Sequence, residues 1–191
     1  MKVKNQMKEL SFLALSGSLR RESYNTAALQ ALQVLAPQQI EVKLGSIDGL
    51  PLYNPDLEDE NIAAVNELKS NLRKSDGLII ASPEYAHGIS GPLKNALDWL
   101  VSGSEFPFKP IMLINTSPRA HHALAALREV LSTMSGILVD RSFVSIPLLG
   151  SDLDTKGILA EPNISEALYK GLNAFSSEIW SQKFNCCMNG T

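Results

Sequence analysis

Five short apolar runs, separated by stretches with helical spacing, constrain this chain more than any other feature. LSFLALS (10–16), IEVKLG (40–45), DGLIIAS (76–82), PIMLINTS (110–117) and GILVDRSFVSI (136–146) read as strands. Between them the apolar residues recur every three or four positions. Ala28, Leu32 and Leu35 mark a helix over 23–36, and a polar amphipathic helix covers 61–74. Leu93, Ala96, Leu97 and Leu100 form one stripe on a helix that begins near Gly91, with Ser90 to cap it and Pro92 in its first turn. Leu124, Leu127, Leu131 and Met134 define another helix over 123–134, and a last one spans 164–182 after a polar connection containing Gly150, Gly157 and Pro162.

Strands alternating with helices build a parallel sheet covered on both faces. Right-handed crossovers leave few arrangements for five strands, and the order 2-1-3-4-5 of a flavodoxin-like α/β three-layer sandwich is the expectation. The chain reads as a single domain over 1–182 with a flexible tail over 183–191. In such a sheet, ligands sit beyond the carboxyl ends of the strands at the crossover between strands one and three. The loops after strands one, three and four therefore matter most.

Several classes are excluded. Seventeen basic against twenty acidic side chains give a net charge of −3, unlike a nucleic-acid-binding surface. No stretch approaches the roughly 18 apolar residues of a membrane span. Lys2, Lys4 and Lys8 precede an apolar run, but that run from Leu10 to Leu15 is shorter than the roughly 7–15 residues of a signal peptide and contains Ser11. A buried strand and a cytoplasmic protein are expected. Cys186 and Cys187 are adjacent near the end and read as silent tail thiols. His121 and His122 are neighbours rather than four apart, so no helical metal pair is expected.

The loop after strand one, SGSLRRESYN (16–25), lacks the glycine pattern of a dinucleotide turn and the lysine of a P-loop. It offers the hydroxyls of Ser18 and Ser23, the amide of Asn25, Thr26 and the guanidinium of Arg20, just where a helix begins. Free N–H groups, hydroxyls and a planar guanidinium suit a terminal phosphate monoester. The alternative is that Ser23 or Asn25 only caps the helix and Arg20 is solvated.

The loop after strand three opens SPEYAHGISGPLKNALDWL (82–100). Pro83 stiffens it, Tyr85 and His87 offer flat faces, and Gly88 and Gly91 allow close backbone approach. Glu84 is either a general base, a surface carboxylate, or a carboxylate that bonds nearby backbone. Trp99 lies off the apolar stripe and either seals the helix edge or meets another subunit. Lys94 and Asp98 form a solvated pair.

GSLRRESYN (17–25), LPLYNPDLE (50–58), the 82–100 stretch and INTSP (114–118) together resemble the NADPH-dependent FMN reductase family of the flavodoxin-like fold. The resemblance implies that Ser18, Arg20, Ser23, Tyr24 and Asn25 hold the FMN phosphate. Pro83, Glu84, Tyr85, His87 and Gly88 would line the isoalloxazine, and Ser117 would close the other side. It implies a flavin oxidoreductase with FMN as cofactor and NADPH or NADH as co-substrate. The acceptor would be a small molecule: a quinone, an azo compound, a flavin or a metal oxyanion. A flavin-bearing electron carrier and a flavin-free phosphosugar or nucleotide enzyme are the alternatives. Family members are homodimers or homotetramers with neither nucleic acid nor membrane as partner, and the loop with Asn54 and Asp56 would reach towards a neighbouring subunit. Where members often carry a glycine-rich turn after strand four, this chain has TSPRAHHALAAL. Arg119, Ala120, His121 and His122 would narrow the pocket there or change nicotinamide access. Arg119 either steers an anion, the 2′-phosphate of NADPH or a charged acceptor, or stands solvated.

Overall fold

A computed structural model describes residues 10–188, with side chains to residue 184. The lysines of the N-terminal expectation and the side chains of Cys186 and Cys187 lie outside these. Strand β1 (Leu10–Ser16) is central and pairs in parallel with β2 (Ile40–Gly45) on one side and β3 (Gly77–Ala81) on the other. Strand β3 pairs in parallel with the 110–115 strand, which pairs with two short edge segments at 137–138 and 144–145. The order is the 2-1-3-4-5 expected from the alternation.

Alternate residues of each strand serve opposite cores. Phe12, Ala14, Ile79 and Met112 face helices α1 (Tyr24–Leu35) and the long C-terminal helix (Pro162–Met188), with Phe12 and Phe175 rings 4.8 Å apart. Leu13, Leu15, Leu78, Ile80 and Leu113 face α2 (Ala63–Lys74), α3 (Gly91–Asp98) and α4 (His121–Thr133). Burial on both faces is why these strands read as continuous apolar runs. Among the described residues no helix is long and apolar enough to cross a membrane.

Four features differ from the sequence expectation. The loop after β3 contains a hairpin, β4 (Glu84–Tyr85) paired with β5 (Gly88–Ile89). With β6 as Pro110–Asn115, the expected fifth strand is two bridges, β7 (Ile137–Leu138) and β8 (Val144–Ser145), split by a 3-10 turn over Asp140–Ser142. The buried Ser142 hydroxyl donates to the Val139 carbonyl at 2.7 Å, so the side chain supports the turn in place of ladder pairing. A short helix α5 (Thr155–Ala160), capped by Asp154, fills part of the polar connection. The last helix, α6 (Pro162–Met188), continues past the end expected at Gln182.

Candidate functional site

The carboxyl ends of β1, β3 and β6 are tied together by buried hydrogen bonds. Ser90 caps α3, accepting from the Leu93 N–H at 3.4 Å, and the same hydroxyl donates to the Gly17 carbonyl at 2.6 Å. The Gly17 N–H donates to the Ala81 carbonyl at 2.8 Å. Gly17 lies so close to β3 that a Cβ there would sit 2.5 Å from Ser82 Oγ and 2.9 Å from Ser82 Cβ. Only a glycine lets the two loops approach this way. On the other side, Thr116 donates to the Asn25 side-chain oxygen at 3.0 Å, joining the β6 loop to α1.

These ties frame a cleft of about 260 Å3. Its walls include Ser18, Arg20, Ser23, Tyr24 and Asn25 from the β1 loop, Pro83, Glu84 and Tyr85 from the hairpin, and Ser117 from the β6 loop. Two sequence candidates stand elsewhere: His87 is in the hairpin turn, stacked on His122, and Gly88 is in β5. Thr116, Arg119, Ala120 and Leu149 also line the cleft. Leu149 comes from the segment after β8, a neighbour that no local motif announces.

The β1 loop has the donor set of an anion site. Ser23 caps α1 by accepting from the Thr26 N–H at 3.4 Å, as one alternative held. That leaves the N–H groups of Tyr24 and Asn25 without an acceptor among the described residues. Ser18 accepts from the Arg20 N–H at 3.3 Å, shaping the turn, and its hydroxyl proton is available to a ligand. The Arg20 side chain makes no hydrogen bond or ion pair among the described residues. A phosphate monoester placed here meets a guanidinium, two hydroxyls and two N–H groups, the chemistry of the FMN tail.

Glu84 resolves as the backbone-bonding alternative. Its Oε2 accepts from the Ala123 N–H at 2.8 Å, capping α4, whose own N-cap position is Ala120 and supplies no side-chain bond. The Ala123 N–H holds the carboxyl below its ordinary value. Burial opposes the shift, and the imidazoles of His122, His87 and His121 reinforce it. The hairpin above it turns through Ala86 and His87, both at positive φ (48° and 60°). Such two-residue loops normally use Asn or Gly there. A strained pair at the rim of a cleft points to function. His87 and His122 stack with centroids 4.3 Å apart, and His121 and His122 lie 4.1 Å apart. Among the described residues no cluster has metal-binding geometry. Trp99 takes the edge-sealing role: it is 1% exposed, its indole N–H donates to the Pro51 carbonyl at 2.8 Å, and its ring meets Tyr53 edge-on.

A doubly wound sheet with a donor-rich loop and an aromatic-lipped cleft at its crossover defines the class of flavodoxin-like flavoproteins. The chain belongs to the NADPH-dependent FMN reductase family, whose pattern it matches over residues 10–148. It is thus an oxidoreductase that uses FMN and a nicotinamide dinucleotide. It is similar to an NAD(P)H-dependent FMN reductase of Pseudomonas aeruginosa, 32% identical over 181 residues, covering 92% of this chain and 97% of that one. A quinone reductase of Escherichia coli is 40% identical over 116 residues, 57% of this chain and 60% of that one. Among solved structures, the flavoenzyme NAD(P)H:(acceptor) oxidoreductase FerB of Paracoccus denitrificans superposes with a TM-score of 0.77 at 28% identity, covering 90% of this chain and 98% of that one.

Proposed function

We propose that this protein is an NAD(P)H:quinone oxidoreductase working through FMN held in the cleft between the β1 loop, the hairpin and the β6 loop. The carrying observation is the single Ser90 hydroxyl that joins the α3 cap to Gly17, locking a phosphate cradle beside an aromatic lip. Bound FMN supplies two-electron carriage: a hydride from NAD(P)H in, and electrons with a proton out to the quinone, which takes a second proton from water. The chain's own residues bind and orient. Arg20, Ser18, Ser23 and the N–H groups of Tyr24 and Asn25 hold the phosphate. Pro83, Tyr85 and the backbone around Glu84 form the wall for the ring system, with Ser117 opposite. This division of labour accounts for a cleft whose one carboxylate, Glu84, is engaged in capping a helix rather than in acid–base work.

Quinone as acceptor is supported by the quinone reductases of similar sequence, including a Burkholderia 2-hydroxy-1,4-benzoquinone reductase that is 33% identical over 172 residues. A homodimer or homotetramer is part of the same reading. Leu52 (83% exposed) and Val101 (59% exposed) offer apolar surface on the loop and turn that flank Trp99. Anaerobic stopped-flow mixing tests the proposal. FMN-loaded protein should bleach rapidly with NADPH and regain colour on adding benzoquinone. Colour that persists with NADPH favours a carrier, and protein that takes up no FMN removes the reading altogether.

A further inference from the structure

The cleft is lined by two guanidiniums, and FMN carries one phosphate. Arg20 stands on the β1 loop among the hydroxyls and N–H groups described above. Arg119 stands on the β6 loop, separated from it by β3, and its side chain likewise has no hydrogen-bond or ion-pair partner among the described residues. Glu84, the carboxylate in the cleft wall, accepts from the Ala123 N–H through Oε2 and forms no ion pair with Arg119. Beside Arg119 run the three imidazoles of the chain, a column of His87, His122 and His121. His121 Nδ1 lies 3.1 Å from the Arg119 carbonyl oxygen, which fixes that ring against the arginine's own backbone. On β4, the Glu84 carboxylate is the group that feels these imidazoles. The result is a second guanidinium exposed at the cleft rim and unpaired among the described residues.

Resting on the FMN reading, we infer that Arg119, with the imidazoles of His121 and His122 beside it, anchors a phosphate group of the dinucleotide donor. A quinone has no such charge, whereas every nicotinamide dinucleotide carries a pyrophosphate and NADPH a further 2′-phosphate. A planar guanidinium at the rim holds that phosphate while the nicotinamide end reaches into the cleft.

Calorimetric titration of FMN-loaded protein with 2′,5′-ADP and with 5′-ADP reads this directly, without turnover. The parent protein should bind at least one fragment, and Arg119→Ala should weaken that binding by about tenfold, the worth of one charged hydrogen-bonded pair. Loss confined to 2′,5′-ADP assigns the 2′-phosphate, and loss of both assigns the pyrophosphate. In turnover, the KM for NADPH should rise by a similar factor with kcat held within about twofold, and Arg119→Lys should recover part of it. His122→Ala should weaken fragment binding by about threefold, less than Arg119→Ala. Fragment affinities within about twofold of the parent in Arg119→Ala overturn the inference, and parental affinity in His122→Ala overturns the imidazole part. Because Arg119 is exposed, its variants should melt at the parental temperature, and each is titrated with its FMN site saturated. If the parent itself takes up no FMN, it is the functional reading that fails.

Discussion

Replacing Ser90 by alanine should damage fold and site together. The side chain is 0% exposed and serves two partners at once. Losing an N-cap costs about 1 kcal/mol. The Gly17 carbonyl, met by no other donor among the described residues, would be left buried and unpartnered, costing about 1–3 kcal/mol more. A total of about 2–4 kcal/mol corresponds to a melting point lower by roughly 5–15 °C in a domain of this size. Urea titration of the FMN-free protein measures it without ligand linkage. The midpoint should fall and the m-value should hold. FMN affinity should fall as well, because the released carbonyl begins the loop carrying Ser18 and Arg20. Ser132→Ala, exposed on α4, is the control. If Ser90→Ala unfolds within about 0.5 kcal/mol of the parent, or no further from it than the control, the two-partner account is wrong.

Arg20→Ala should weaken FMN binding by about 1.5–3 kcal/mol, read by fluorescence titration, with thermal stability unchanged. Gly17→Ala should cost about 1–3 kcal/mol through its collision with Ser82 and lose FMN binding in the same measurement, and Ser82→Gly added to it should restore part of both. Ala86→Gly should raise stability by about 0.5–1 kcal/mol, because relief at φ 48° exceeds the extra entropy of the unfolded chain, and a thermal melt decides it. The folded-state pKa of Glu84 lies below its ordinary value of 4.5, so its bond to Ala123 contributes in full above that value and is lost as the pH falls through the lower, folded-state one. Amide signals of the hairpin and the first turn of α4 should therefore titrate together at acid pH, and Glu84→Gln should abolish that step.

The sheet order was legible because the apolar runs at 77–81 and 110–115 are covered on both faces, a burial that leaves its mark residue by residue. The α3 cap was legible because Ser90 and Pro92 act within one turn. What escaped depends on distance or on an unlikely local choice. The carboxylate that caps α4 lies 39 residues before its partner. Ala86 and His87 do not signal a tight turn, and only contact with α4 holds them there. The break in the fifth strand follows from a buried serine that supports a turn at the sheet edge, inside a run that otherwise alternates like a strand. Eight of the cleft residues named above come from the β1 loop and the hairpin, each a continuous motif. Leu149 arrives from the far edge of the sheet, and nothing in its neighbourhood marks it.

The hairpin and α4 solve each other's problems. A helix beginning at His121 has no capping side chain of its own, and a turn through Ala86 and His87 is strained. Either defect alone costs stability. Glu84 reaches from the first strand of the hairpin to the open end of the helix, and His87 leaves the strained turn to stack on His122 in the helix's first turn. These two contacts hold the hairpin on α4 while Pro83, Glu84 and Tyr85 line the cleft. An Asn-Gly turn would lose the stack on His122, and the Glu84 carboxylate would still tie the hairpin to α4.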